Sequence, residues 1–167
     1  WWPGVTKGHL GEEGRMSTRS TFSRQLRELQ AEVLVLGSMV DQSIARSMEV
    51  LKNRDMDEAR RIIEGDAAIN RKRFDIEERV MQIIARQQPM AGDLRIVLAA
   101  LLVVTDLERM GDHAEGIAKI VLMHGDEPLL KPLIDVPRMA EKARDKLRRA
   151  LQAFVAEDVE ASKQIAQ

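Results

Sequence analysis

Apolar residues recur along the first third of this chain at spacings that only an α-helix gathers onto one face. Phe22, Leu26, Leu29, Val33, Leu36 and Val40 alternate steps of four and three, and the stripe drifts on to Ile44, Met48 and Leu51. A stripe this long must be covered by neighbouring helices, because an isolated amphipathic helix leaves it in water. Asn53-Arg54-Asp55 then marks a turn. A second helix is expected from about Asp57 to Gln87, with Ile62, Ile69, Ile76, Val80 and Ile83 on its inner face. Pro89 interrupts that pattern, Gly92-Asp93 falls in the break or the first turn beyond it, and a third helix runs to about His124. Gly125, Pro128, Pro132 and Pro137 mark a long connection. Asp135 is placed to cap a fourth helix that ends near Ala156, and Glu157-Asp158 would open a fifth. No segment alternates with period two, so no strand is expected. The fold class is all-α: residues 16–125 form an up-down-up three-helix bundle joined by short loops, and residues 126–167 begin a second, incomplete bundle.

Composition narrows the function. Apolar residues make up 44% of the chain, enough for a core, while 32% are charged with a net charge of −1. No strong field therefore points to nucleic acid or an anionic membrane. Aromatic residues are 3%, with no Tyr, which leaves few platforms for stacking bases. There is no Cys, so any metal must use carboxylate, imidazole, carbonyl or water oxygens and nitrogens. The longest apolar run, Ile96 to Val104, is nine residues, about half of the roughly 20 that a membrane span needs. Residues 1–15 are Gly-rich and show neither a helical period nor a signal-peptide core. They are expected to be a disordered or non-native leader, with Met16 as the natural start.

A weak internal repeat supports a second bundle. Met39–Leu51 can be laid over Met139–Leu151, and Glu58-Ala59 matches Glu160-Ala161 after a two-residue slip.

The chemistry concentrates between residues 106 and 115. Glu108 and Asp112 are four apart and Asp112 and Glu115 three apart, so they share one helical face. With Val103, Leu107, Met110, Ala114, Ile117 and Val121 taken as the apolar stripe, these acids are expected opposite it, facing solvent or a partner. Two or three oxygens at this spacing can ligate a hard or borderline cation. Spacing alone is no evidence: the 27 acids include three pairs at this interval, Glu28/Glu32, Glu108/Asp112 and Glu141/Asp145, no more than random placement gives. Asp66 and Asn70 interrupt an apolar pattern four residues apart, as a buried hydrogen-bonded pair between helices or a contribution to the same surface. Asp93 and Arg95 suit a helix cap and an ion pair to another helix. His113 and His124 point the same way but are separated by roughly 16 Å of helix rise, too far to share a metal. Gly111 and Gly116 stand inside a helix, where Gly costs about 1 kcal/mol against Ala, so close helix approach or metal access is expected there.

Enzymatic readings find little support. The Glu-x-x-His pattern of di-iron bundles fails, because Met110 and Val121 stand three residues before the two histidines. There is no Gly-rich phosphate loop and no Cys nucleophile. A helical mutase of the chorismate type would need an Arg-lined pocket.

Gly92-Asp93-Leu94-Arg95-Ile96-Val97-Leu98, followed by Asp106-Leu107-Glu108-Arg109-Met110-Gly111-Asp112-His113-Ala114-Glu115, resembles the signature helix of the PhoU family. The resemblance covers most of residues 20–167, is strong over 86–123, and lacks the family's second signature helix. It implies two spectrin-like three-helix bundles, of which the second is incomplete here. It also implies a cytoplasmic negative regulator of phosphate uptake and the phosphate regulon. Such a protein contacts the phosphate transporter ATPase and the phosphate-sensing histidine kinase, reaches the membrane only through them, and is a homodimer or higher homo-oligomer. Glu108-Arg109-Met110-Gly111-Asp112 matches the family's acidic metal motif, with Glu115 and Asp66 as weaker candidate ligands and iron or zinc as the expected metal. The alternative is a helical oligomerisation fragment without regulatory activity.

Overall fold

The computed structural model describes residues 12–125, 127 and 131–166. Five helices follow in order: α1 Glu12–Asn53, α2 Met56–Gln87, α3 Ala91–His124, α4 Asp135–Ala156 and α5 Val159–Ala166. No strand occurs among the described residues. The bounds of α2, α3 and α4 lie within two residues of those expected. α1 begins four residues before Met16. The rest of the expected leader, residues 1–11, lies outside the described residues.

α1, α2 and α3 form the up-down-up bundle. Its core takes Leu29, Val33, Leu36 and Val40 from α1, Ile69, Ile76, Val80 and Ile83 from α2, and Val97, Ala100, Val104 and Leu107 from α3. A smaller cluster of Val50, Ala59, Ile62, Ala118 and Val121 closes the far end. The turn between α1 and α2 is fixed by Asp55, whose carboxylate accepts from the Glu58 backbone N–H at 2.9 Å and satisfies a donor that the helix cannot. At its other end α2 stops at Gln88, which adopts the left-handed conformation (φ 46°) just before Pro89.

α4 packs on α1, antiparallel to it. Gly37, buried in α1, receives the Leu151 side chain of α4. A few residues along, the Arg144 guanidinium grips Asp41 with two bonds, Nε to Oδ1 at 2.8 Å and Nη2 to Oδ2 at 3.0 Å. Asp135 does not cap α4. Ile134 holds that position without a side-chain bond, and Asp135, one residue inside, pairs with Arg138 instead. Asp158 does cap α5, accepting from the Ala161 backbone N–H at 2.9 Å. No helix among the described residues is long and apolar enough to cross a membrane.

Candidate functional site at the α2–α3 seam

The acidic face lies somewhere other than where the sequence pattern puts it. The buried stripe in the second half of α3 is Val104, Leu107, Gly111, Ala114, Ala118 and Val121. Val103, Met110 and Ile117, expected in the core, are only partly buried. The stripe is turned because Gly and Ala let α2 come close: a Cβ on Gly111 would stand 3.2 Å from Ile69 Cγ2, 3.3 Å from Ile69 Cδ1 and 3.7 Å from Asp66 Oδ1. The turn carries the acids with it. Glu108 and Glu115 are not opposite the core but line the seam with α2, their side chains only 18% and 17% exposed. Asp112 alone is fully on the surface. A Cβ added at Gly116 would meet no neighbouring element within 4 Å, so close approach explains Gly111 and not Gly116.

α2 brings its own polar residues to this seam. Asp66, Asn70, Arg73 and Glu77 follow at steps of four, three and four, one face of the helix. Asn70 donates through Nδ2 to Asp66 Oδ2 at 2.7 Å, so the two are paired within α2 rather than between helices. Asp66 Oδ1 is buried and has no hydrogen-bond partner. Burial pushes the Asp66 carboxyl above the usual range, and the negative charges of Glu115, Asp112 and Glu108 push the same way, partly offset by the Asn70 bond. An unpartnered buried carboxylate oxygen within the field of three more acids has the chemistry of a donor to a hard or borderline cation. Among the described residues no group of three or more Asp, Glu or His side chains is placed to hold a metal ion. Two cations stand beside acids of the seam: Arg73 Nε lies 3.7 Å from Glu108 Oε1, and Lys119 pairs with Glu115 at 2.6 Å.

The remaining candidates stand apart. Asp93 lies in the first turn of α3, whose cap is Met90. Among the described residues, neither Asp93 nor Arg95 makes the ion pair expected of them. His113 is exposed, and His124, at the end of α3, buries its Nε2 without a partner. A cleft between α1 and α2 is lined by Arg79 and Arg86 but equally by Glu32, Asp75 and Glu78. Arg79 is already tied to Glu28 and Glu32, so this is no pocket for an anionic substrate. Arg73 is the residue that sequence reasoning missed. Its spacing from Asp66 and Asn70 puts it on their face of α2, but only the packing of α2 on α3 brings it to Glu108.

Fold and site together define an all-helical bundle whose second and third helices share an acidic seam. Residues 33–121, slightly more than half of the chain, match the PhoU domain. The chain belongs to the PhoU family. It is 33% identical over 142 residues to the phosphate-specific transport system accessory protein PhoU homolog of Aquifex aeolicus, covering 85% of this chain and 64% of that protein. The corresponding homolog of Clostridium acetobutylicum is 37% identical over 139 residues, with 83% and 64% covered. The Escherichia coli accessory protein PhoU is 31% identical over 139 residues, with 83% and 58% covered. The crystal structure of the phosphate transport system regulatory protein PhoU from Streptococcus pneumoniae superposes with a TM-score of 0.81 at 33% identity, covering 87% of this chain and 69% of that one. These names describe accessory and regulatory proteins rather than enzymes. The chain spans less than two thirds of the length of these curated relatives.

Proposed function

We propose that the chain is a negative regulator of phosphate uptake and of the phosphate regulon, acting in the cytoplasm by contact with the phosphate transporter ATPase and the phosphate-sensing histidine kinase. The observation that carries this reading is the α2–α3 seam, where the family's acidic motif meets a buried, unpartnered carboxylate oxygen of Asp66. On this reading Glu108 and Asp112, helped by Glu115 and Asp66, supply oxygen ligands to iron or zinc. The metal would neutralise the seam and fix the α2–α3 surface that partners meet. Its attachment to the membrane is indirect, through those partners.

A homodimer or higher homo-oligomer fits the open groove between α3 and α4–α5. Val103, Leu107 and Met110 line one wall and Leu147, Ala150 and Phe154 the other. Such apolar surface favours association. The same groove favours the second reading, a helical fragment that only oligomerises. Deleting the gene and following a phosphate-starvation reporter in phosphate-rich medium separates the two. Derepression supports the regulator, and a reporter that stays off refutes it.

A further inference from the structure

We infer that Arg73 is the built-in counter-ion of the acidic seam and competes with a bound cation for Glu108. This rests on the metal reading above and adds a residue that sets the affinity of the site.

Arg73 is held in three ways. Its Nη1 donates to Glu77 Oε1 at 2.5 Å, its guanidinium lies 4.1 Å over the Phe74 ring, and its Nε faces Glu108 Oε1 at 3.7 Å. The first two contacts lie on α2 itself and do not involve the motif. The third crosses to α3 and is too long for a hydrogen bond. Arg73 Nε is buried and has no hydrogen-bond partner. The weakest anchor of Arg73 is thus the one that touches the metal motif. If Glu108 turns away to ligate a cation, Arg73 keeps its place on Glu77 and Phe74, and its positive charge stays beside the incoming one.

The sign of the effect follows. At 17% exposure the Arg73 side chain is poorly screened by solvent, so its charge acts on neighbours at a reduced effective dielectric. It stabilises the metal-free seam by offsetting Glu108, and it repels a cation bound there. Both effects lower cation affinity. Lys119, which holds Glu115, is 54% exposed and is screened by water and salt, so its influence is small. The metal-free protein is thereby kept folded with its acids apart, and only a cation that binds more strongly than the internal guanidinium draws them together.

The test is calorimetric titration of Zn²⁺ and of Mn²⁺ into the full chain, comparing wild type with Arg73→Gln, Lys119→Gln and Glu108→Ala. Removing the Arg73 charge is expected to tighten metal binding on the order of tenfold, the scale on which neighbours of a ligand act. Lys119→Gln should change it less than about twofold, and Glu108→Ala should abolish it. The gain in melting temperature on adding metal is a readout that a purely structural role would not move. Arg73→Gln should melt lower than wild type without metal and gain more than wild type when metal is added. Should Arg73→Gln not fold, Arg73→Met keeps the stem packed on Phe74 and removes only the charge. Wild type that binds metal, with an Arg73 variant that binds equally or more weakly, overturns the competition and leaves the metal reading standing. If neither wild type nor the Arg73 variants bind, the metal reading falls and the competition with it.

Discussion

Placing α4 on α1 through a single glycine makes a sharp prediction. Gly37 is buried mid-helix, and a Cβ built there would overlap Leu151 Cδ1 while standing 3.4 Å from Leu151 Cδ2 and Cγ. Two opposing effects decide the outcome of Gly37→Ala. Helix propensity favours Ala by about 1 kcal/mol. Overpacking costs about 1–3 kcal/mol when the displaced group cannot move freely, and Leu151 is itself packed against the bundle core. Sterics should win, for a net loss of about 1–2 kcal/mol. Leu151→Ala alone removes a buried side chain and should cost about 2–3 kcal/mol. In the double variant the vacated space accepts the new methyl, so the losses should not add, and a coupling of about 1–2 kcal/mol should appear. Urea unfolding followed by helical circular dichroism measures all four proteins of the cycle. A Gly37→Ala variant as stable as wild type, or more stable, would mean that Leu151 does not sit on Gly37 and that α4 is docked elsewhere.

Other outcomes follow from the same contacts. Arg144→Ala leaves Asp41 half-buried without its two-pronged partner and should cost about 1–3 kcal/mol. Because α4 packs on α1 and not on α2 or α3, hydrogen exchange should quicken in α4 and α5 while the first bundle stays protected. Asp66→Asn should raise the melting temperature of the metal-free chain at neutral pH, since Asp66 holds its charge against burial and three neighbouring acids. The sign over pH is fixed by linkage. The folded Asp66 pKa lies above its unfolded value, so the folded state binds the extra proton and wild type loses stability as pH rises from about 4. The advantage of Asp66→Asn should therefore be larger at pH 7 than at pH 4, and equal advantages at the two pH values would contradict the burial of that charge.

The fold was largely legible because its signals are long and local. The α2 stripe names every buried residue of that helix but Ala59. In α1 Leu29, Val33, Leu36, Val40 and Met48 are buried as expected, while Phe22, Leu26, Ile44 and Leu51 are only partly buried and Val50 was missed. Asp55, in the expected turn, caps α2. What the pattern could not supply was the rotation of α3. Val103, Met110 and Ile117 are the larger residues and look like the core, but Gly111, Ala114 and Ala118 are the buried ones, and at Gly111 the missing side chain permits close packing against Ile69. That rotation moved Glu108 and Glu115 from the surface to the seam. Of the three acids expected on one face of α3, Glu108 and Glu115 line the seam and Asp112 lies on the surface. Arg73 and the orphaned Asp66 oxygen belong to the meeting of two helices, and no spacing within one helix reveals such a meeting. The Leu151–Gly37 and Arg144–Asp41 contacts are hidden for the same reason, being more than 100 residues apart along the chain.

The most direct measurement is native mass spectrometry of the protein purified without chelator, wild type beside the double variant Glu108→Ala/Asp112→Ala. It reads bound metal and subunit number together. A metal-loaded oligomer whose metal disappears in the double variant is the expected result. Metal retained in full by the double variant, or a wild-type protein that carries none, would contradict a metal-dependent function seated at the α2–α3 seam.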